Sequence, residues 1–186
     1  MSYHKKNLKE KIVKIAWDTC KTESWQTINM RMIAKKAGVS TTAFYRHFEN
    51  KNDLKAELMR MGFEIIEQGR KNSDTFAGWG ANYVRFGLDY PHIYDLMFGH
   101  INFDMSLYPN LEEKYREAFD GILVALKSFM PDASKKDIKI KAINIWTSVH
   151  GLIAFLRQSD YHDNTYEELK WIKKNLEDYL KMTTFR

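Results

Sequence analysis

Hydrophobic residues recur at three- and four-residue intervals along almost the whole chain, and no stretch alternates apolar and polar positions as a half-buried strand does. The pattern predicts an all-α protein of about nine helices. The first covers about 7–22, with Leu8, Ile12, Ile15, Ala16 and Cys20 turned inward. Asn29 can cap a short second helix reaching Ala37, and Ser40 a third reaching about His47. The fourth runs over about 51–69. A fifth starts at the "NSD" of 72–74 and stops at "YPH", where Pro91 cannot continue a helix but suits the first turn of a sixth. The seventh covers about 110–129, the eighth about 135–158 and the ninth 166–181, with "SDYHDN" as the loop before the ninth.

Within this pattern, "AGVSTTAFYRHFENK" (37–51) stands out. Two short helices separated by "AGVS" have the spacing of a helix-turn-helix. Gly38 can supply the left-handed residue that ends the second helix, and Ala34 and Ala37 are small enough for close helix approach. Phe44 and Phe48, four apart, give the third helix a buried face. Thr41, Thr42, Tyr45 and Arg46 then point outward with His47 at the edge, offering donors for phosphates and base edges. Lys51 opens the fourth helix, where backbone N–H groups and a positive charge favour phosphate.

Charge sharpens the picture. Residues 1–52 hold 11 Lys/Arg against 4 Asp/Glu, a balance of +7, whereas the remainder holds 18 against 20, a balance of −2. A basic first quarter suits a polyanion, although a solvated lysine-rich surface accounts for charge alone equally well. The single cysteine, Cys20, rules out an intrachain disulfide framework, fits a reducing compartment and reads as a core residue. Lys9, Lys11 and Lys14 interrupt the N-terminal apolar positions, so no signal peptide is expected, and no apolar run is long enough to span a membrane. A cytoplasmic protein is expected.

The segment "NMRMIAKKAGVSTTAFYRHFENKNDL" resembles the DNA-binding domain of the TetR family of bacterial transcriptional regulators, ungapped over 26 positions. The resemblance covers about residues 8–58; "TESWQT" departs from it by lacking the glycine that commonly ends helix one. It implies phosphate contacts for Tyr45, His47 and Lys51, and base or adjacent backbone contacts for Arg31, Thr41 and Thr42. Asn29 and Ser40 match helix caps that also approach phosphate. It further implies a helix-turn-helix domain over 1–52 and, over 53–186, a helical bundle that dimerises and holds a small-molecule pocket. "YPHIYDLMFG" with Trp146, His150 and Gly151 is similar to a subfamily named for a Trp, a His and a Gly.

The eighth helix, "IKAINIWTSVHGLIAFL", carries one stripe of Ile143, Trp146, His150 and Ile153 and another of Ile145, Val149, Leu152 and Leu156. A helix apolar on nearly all sides needs cover on both faces. With Leu169, Ile172, Leu176 and Tyr179 on the ninth helix, the second stripe looks like the family's dimer interface. Aromatic rings at Trp79, Tyr83, Phe86, Phe98, Tyr115, Phe119 and Trp146, together with His150, read either as plain core or as the lining of a pocket between helices five, seven and eight. Such a pocket would suit a flat apolar or weakly cationic molecule. Helix four, beginning at Lys51 and meeting helix six near its end, would couple that pocket to DNA.

No His, Cys and carboxylate spacing suggests a metal, and no cofactor motif is present. An enzyme built on His150 with Asp89 or Asp95 lacks a nucleophile–base pair. The expectation is therefore a repressor, binding double-stranded operator DNA as a homodimer on a palindrome and released by a small-molecule effector. The competing expectation is a regulator that responds to a protein partner or to no ligand.

Overall fold

The computed structural model describes residues 2–99, 103–158 and 167–185. Ten α-helices account for nearly all of them: α1 Ser2–Cys20, α2 Met30–Ala37, α3 Thr41–Tyr45, α4 Lys51–Lys71, α5 Phe76–Asp89, α6 Pro91–Phe98, α7 Pro109–Phe129, α8 Lys135–Gln158, α9 Glu167–Lys174 and α10 Leu176–Thr183. A 3₁₀ turn, Met105–Leu107, precedes α7, and no strand occurs among the described residues. The all-α expectation holds. The expected "SDYHDN" loop and the start of the ninth helix at Tyr166 lie outside the described residues.

Helix ends follow local chemistry. Asn29 Oδ1 accepts from the N–H of Met32 at 3.0 Å, and Ser40 Oγ from that of Ala43 at 3.1 Å. Asn50 and Asp53 cap α4 reciprocally: the Asn50 side chain accepts from the N–H groups of Asn52 and Asp53, and the Asp53 carboxylate from those of Glu49 and Asn50. The expected ninth helix is two helices, because Asn175 leaves helical geometry (φ −123°, ψ 42°). Its Nδ2 donates to the carbonyl of Trp171 at 2.8 Å, the local competition with backbone bonding to which asparagine is prone.

The chain divides into two compact units. The first comprises Met1–Gly62 and Tyr90–Glu112, the second Phe63–Asp89 and Glu113–Arg186. In the first, Ile12, Ala16 and Cys20 on α1 share a buried core with Ile33, Phe44, Phe48, Leu54 and Leu58. Burial pushes the Cys20 thiol up to about 12, so it is an inert core atom. In the second unit, α5 packs against α8 and α10. Gly87 permits this approach: a Cβ there would stand 2.8 Å from the Ile153 side chain. Ile122, Leu126, Ile138, Ala142 and Ile145 form a further cluster joined by Phe76, Trp79, Phe119, Trp146 and Phe185.

Candidate functional site

The turn between α2 and α3 is built by Gly38, the one described residue with positive φ (70°, ψ 33°). Its N–H donates to the Lys35 carbonyl and that of Val39 to the Ala34 carbonyl, each at 3.0 Å, the paired bonds that close a helix on a left-handed residue. Phe44 and Phe48 are buried with ring centroids 5.4 Å apart. Their burial fixes the roll of α3, so Thr41, Thr42, Tyr45 and Arg46 are exposed and His47 is half-buried. Tyr45 is braced edge-on against Phe44 at 5.8 Å. Asn29, Arg31 and Ser40 are exposed as well. Apart from half-buried His47, these groups are exposed on α2 and α3 or in the residues flanking them, with donors that can reach a phosphate backbone or base edges.

Lys51, expected to meet a phosphate, is also engaged within the subunit. Its Nζ donates to the Trp25 carbonyl at 2.7 Å and lies 4.6 Å from the Trp25 ring centroid. Burial lowers its pKa from the ordinary lysine value. The ammonium therefore closes the α1–α2 loop, which lacks the usual glycine, with two of its three protons left to offer. Lys36 supports the same loop through an ion pair with Glu23 at 3.1 Å and a hydrogen bond to Thr19 Oγ1. The lone loop tryptophan was the signal for this clamp.

In the second unit a cavity of about 300 Å³ is walled by Phe63 and Ile66 of α4, Phe76, Trp79 and Tyr83 of α5, Ile122 of α7, Trp146 of α8 and the C-terminal Phe185. Glu64, Glu67, Lys71, Lys114 and Glu117 stand among its lining residues. Several of these charges are matched: Glu67 pairs with Arg70 and Lys71, and Lys114 with Glu117. Tyr83 Oη lies 2.8 Å from His150 Nε2, and the Trp146 ring centroid lies 4.8 Å from that of His150. Desolvation lowers the His150 pKa to about 4, so the ring is neutral at pH 7.

Of the eight residues expected to line a pocket, Trp79, Tyr83 and Trp146 do so. Tyr115, Phe119 and His150 pack against Trp146 instead. Phe86 is buried on α5, and Phe98 belongs to the other unit, where its ring lies 5.1 Å from Tyr94. Sequence reasoning missed Phe63, Phe76 and Phe185. Phe63 and Ile66 share a face of α4 and were findable from spacing; nothing local places Phe185.

The stripe Ile145, Val149, Leu152 and Leu156, together with Leu176, is buried inside the subunit. Leu169 and Ile172 are half-buried. These buried residues are therefore covered within the subunit, where α5 packs against α8. The exposed apolar face of α8 carries Ile140, Ile143 and Phe155, 55–57% exposed, with Gly151 and Ala154 between them. Among the described residues no group of His, Cys, Asp and Glu is arranged to hold a metal, and no helix is long and apolar enough to cross a membrane.

Residues 12–58 match the model of the bacterial regulatory proteins of the tetR family, and residues 76–170 that of a tetracyclin repressor-like C-terminal domain. The latter match does not identify the Trp–His–Gly subfamily. No protein of curated function matches the chain. Among solved structures, SCO4313, classed as a regulatory protein, superposes with a TM-score of 0.72 at 18% identity, covering 97% of this chain and 98% of that one. A transcriptional regulator of Aquifex aeolicus VF5 gives 0.61 at 18% identity, covering 94% and 98%. A TetR-family transcriptional regulator of Marinobacter aquaeolei VT8 gives 0.62 at 16% identity, covering 94% and 88%.

Proposed function

The chain belongs to the TetR family of bacterial transcriptional regulators, and on that premise we propose that it is a repressor. In this reading it binds a palindromic operator as a homodimer and is released by a small apolar or cationic molecule. The observation that carries the DNA-binding half is the roll of α3: Phe44 and Phe48 buried, Thr41, Thr42, Tyr45 and Arg46 exposed, with Arg31 of α2 exposed as well. Inserted in a major groove, such a face can take phosphate and base contacts from a single docking pose. The +7 balance of residues 1–52 supplies the sequence-independent attraction.

The ligand half rests on the aromatic cavity of the second unit. A space of about 300 Å³ bounded by Phe63, Phe76, Trp79, Tyr83, Trp146 and Phe185 has the scale and lining of a small-molecule site. It favours ligand control over a fully packed core. Helix α4 supplies both Lys51, beside the DNA-binding helices, and Phe63 and Ile66 of the cavity wall, so a ligand that displaces its second half has a continuous helix through which to act.

Selection of bound sequences from random DNA tests the first half. A palindromic consensus with two half-sites about one helical turn apart supports the reading. Recovery of no preferred sequence overturns it. Compounds that then shift affinity for the selected site test the second.

A further inference from the structure

Asp53 sits in the first turn of α4 and caps the link that joins α3 to α4. Its Oδ2 accepts from the N–H of Glu49 at 2.8 Å and from that of Asn50 at 3.3 Å. Its other oxygen, Oδ1, accepts a hydrogen bond at 2.9 Å from the hydroxyl of Tyr108, a residue 55 positions downstream, just before α7. The Tyr108 ring is stacked on Phe103, centroids 5.1 Å apart and planes within 12°. Phe103 in turn lies 4.6 Å from the Lys55 ammonium on the next turn of α4. All of these residues belong to the first unit.

We propose that Tyr108 is a positioning residue for the DNA-binding surface: its hydroxyl holds the Asp53 carboxylate in the orientation that fixes the α3–α4 link, and through it the pose of α3. The inference rests on the DNA-binding reading above. α3 is only five residues long, and the chain from its end at Tyr45 to the start of α4 is the segment Arg46–Asn50. Beyond the buried Phe48, the restraints on this link include the two N–H bonds to Asp53. A carboxylate can rotate and exchange its oxygens; a donor fixed on Oδ1 commits Oδ2 to the link. Burial and the Asp53 charge raise the Tyr108 hydroxyl to about 12, so it remains a donor throughout the range in which the protein would work. Tyr108 itself reaches no base or phosphate in this account. It acts by raising the fraction of molecules whose α3 is ready to dock, and apparent affinity scales with that fraction.

The test is Tyr108→Phe in the full-length protein, which removes one oxygen and leaves the stacked ring. Amide exchange at Glu49 and Asn50 should quicken by roughly tenfold, as expected when a charge-assisted bond that orders their acceptor is lost. Affinity for the selected operator should fall roughly three- to tenfold with an unchanged slope of log K against log salt, since no phosphate contact is lost. In an Asp53→Ala background the same substitution should alter neither readout. Unchanged exchange at Glu49 and Asn50 overturns the proposal, as does an additive effect in that background. A salt slope lowered by about one would make Tyr108 a direct phosphate contact and also overturns it. If the parent selects no DNA sequence, the regulator reading fails, while the exchange measurement still decides the role of Tyr108.

Discussion

The hydroxyl of Tyr83 lies 2.8 Å from Nε2 of His150, joining α5 to α8 at the edge of the aromatic cavity. Burial holds the imidazole neutral, with a folded-state pKa of about 4 against an ordinary value of 6.5. As pH falls below about 6.5 the unfolded chain takes up a proton that the folded chain refuses, so stability declines from there until pH reaches about 4. His150→Gln, which keeps a polar partner for Tyr83 but cannot titrate, should flatten this part of the profile. Thermal melts between pH 4 and 8 check it; parallel profiles for parent and variant would remove His150 as the source.

Gly38 isolates the cost of the turn. A Cβ at this position would meet nothing within 4 Å, so substitution strains only the backbone at φ 70°. Gly38→Ala should cost about 1–2 kcal/mol in urea unfolding, and Gly38→Asn less, because asparagine tolerates this conformation better. Equal costs for the two would point to a packing effect instead.

How far the sequence carried the reading depends on the range of each interaction. The turn at Gly38, the caps at Asn29 and Ser40 and the Phe44–Phe48 face are written within four residues of themselves, and they were legible. The faces of α8 were not. Its apolar residues surround the helix, so spacing could not say that Leu152 and Leu156 turn inward while Ile143 and Phe155 stay exposed. Phe185 on the cavity wall and Tyr108 on Asp53 depend on partners more than 50 positions away. The Lys51–Trp25 clamp spans 26 positions and competes with a reading of Lys51 that was equally sound chemically.

Arg31 and Lys51 should separate when both are replaced. Arg31 is exposed, so Arg31→Ala should leave stability unchanged and relax preference at one base pair per half-site by about 1–3 kcal/mol. Lys51→Ala should lower stability by about 1 kcal/mol through loss of the Trp25 bond. If its remaining protons also meet a phosphate, binding to all sequences weakens and the salt slope drops by about one. Lower stability with an unchanged salt slope would assign Lys51 wholly to the α1–α2 loop.

Filling the cavity should silence ligand response while sparing DNA binding. Ala118 lines the cavity from α7, and Ala118→Phe would place a ring in the open space without removing an existing wall. Trp79 and Trp146 on that wall give a fluorescence readout for a screen of apolar and cationic compounds. A compound that quenches the parent should leave the variant unchanged, and operator DNA should weaken its binding to the parent by the same factor as it weakens operator binding. Quenching retained in Ala118→Phe would place the compound elsewhere.

The dimer prediction turns on which face of α8 meets a second copy. Phe155 and Ile143 are 57% and 55% exposed on the subunit, and nothing lies within 4 Å of a Cβ built on Gly151 between them. An exposed phenylalanine one turn from an open glycine is a knob beside a hole, a surface suited to packing against its own copy across a two-fold axis. Phe155→Glu and Ile143→Glu should therefore yield folded monomers in sedimentation, because the charge enters an interface that water can refill once the copies part. Leu156, fully buried, should respond in the opposite way: Leu156→Glu forces a carboxylate into the core and should abolish the cooperative melt before any change in assembly can be read. A folded, monomeric Leu156→Glu would return the interface to the inner stripe, and a parent that sediments as a monomer at micromolar concentration would remove the homodimer altogether.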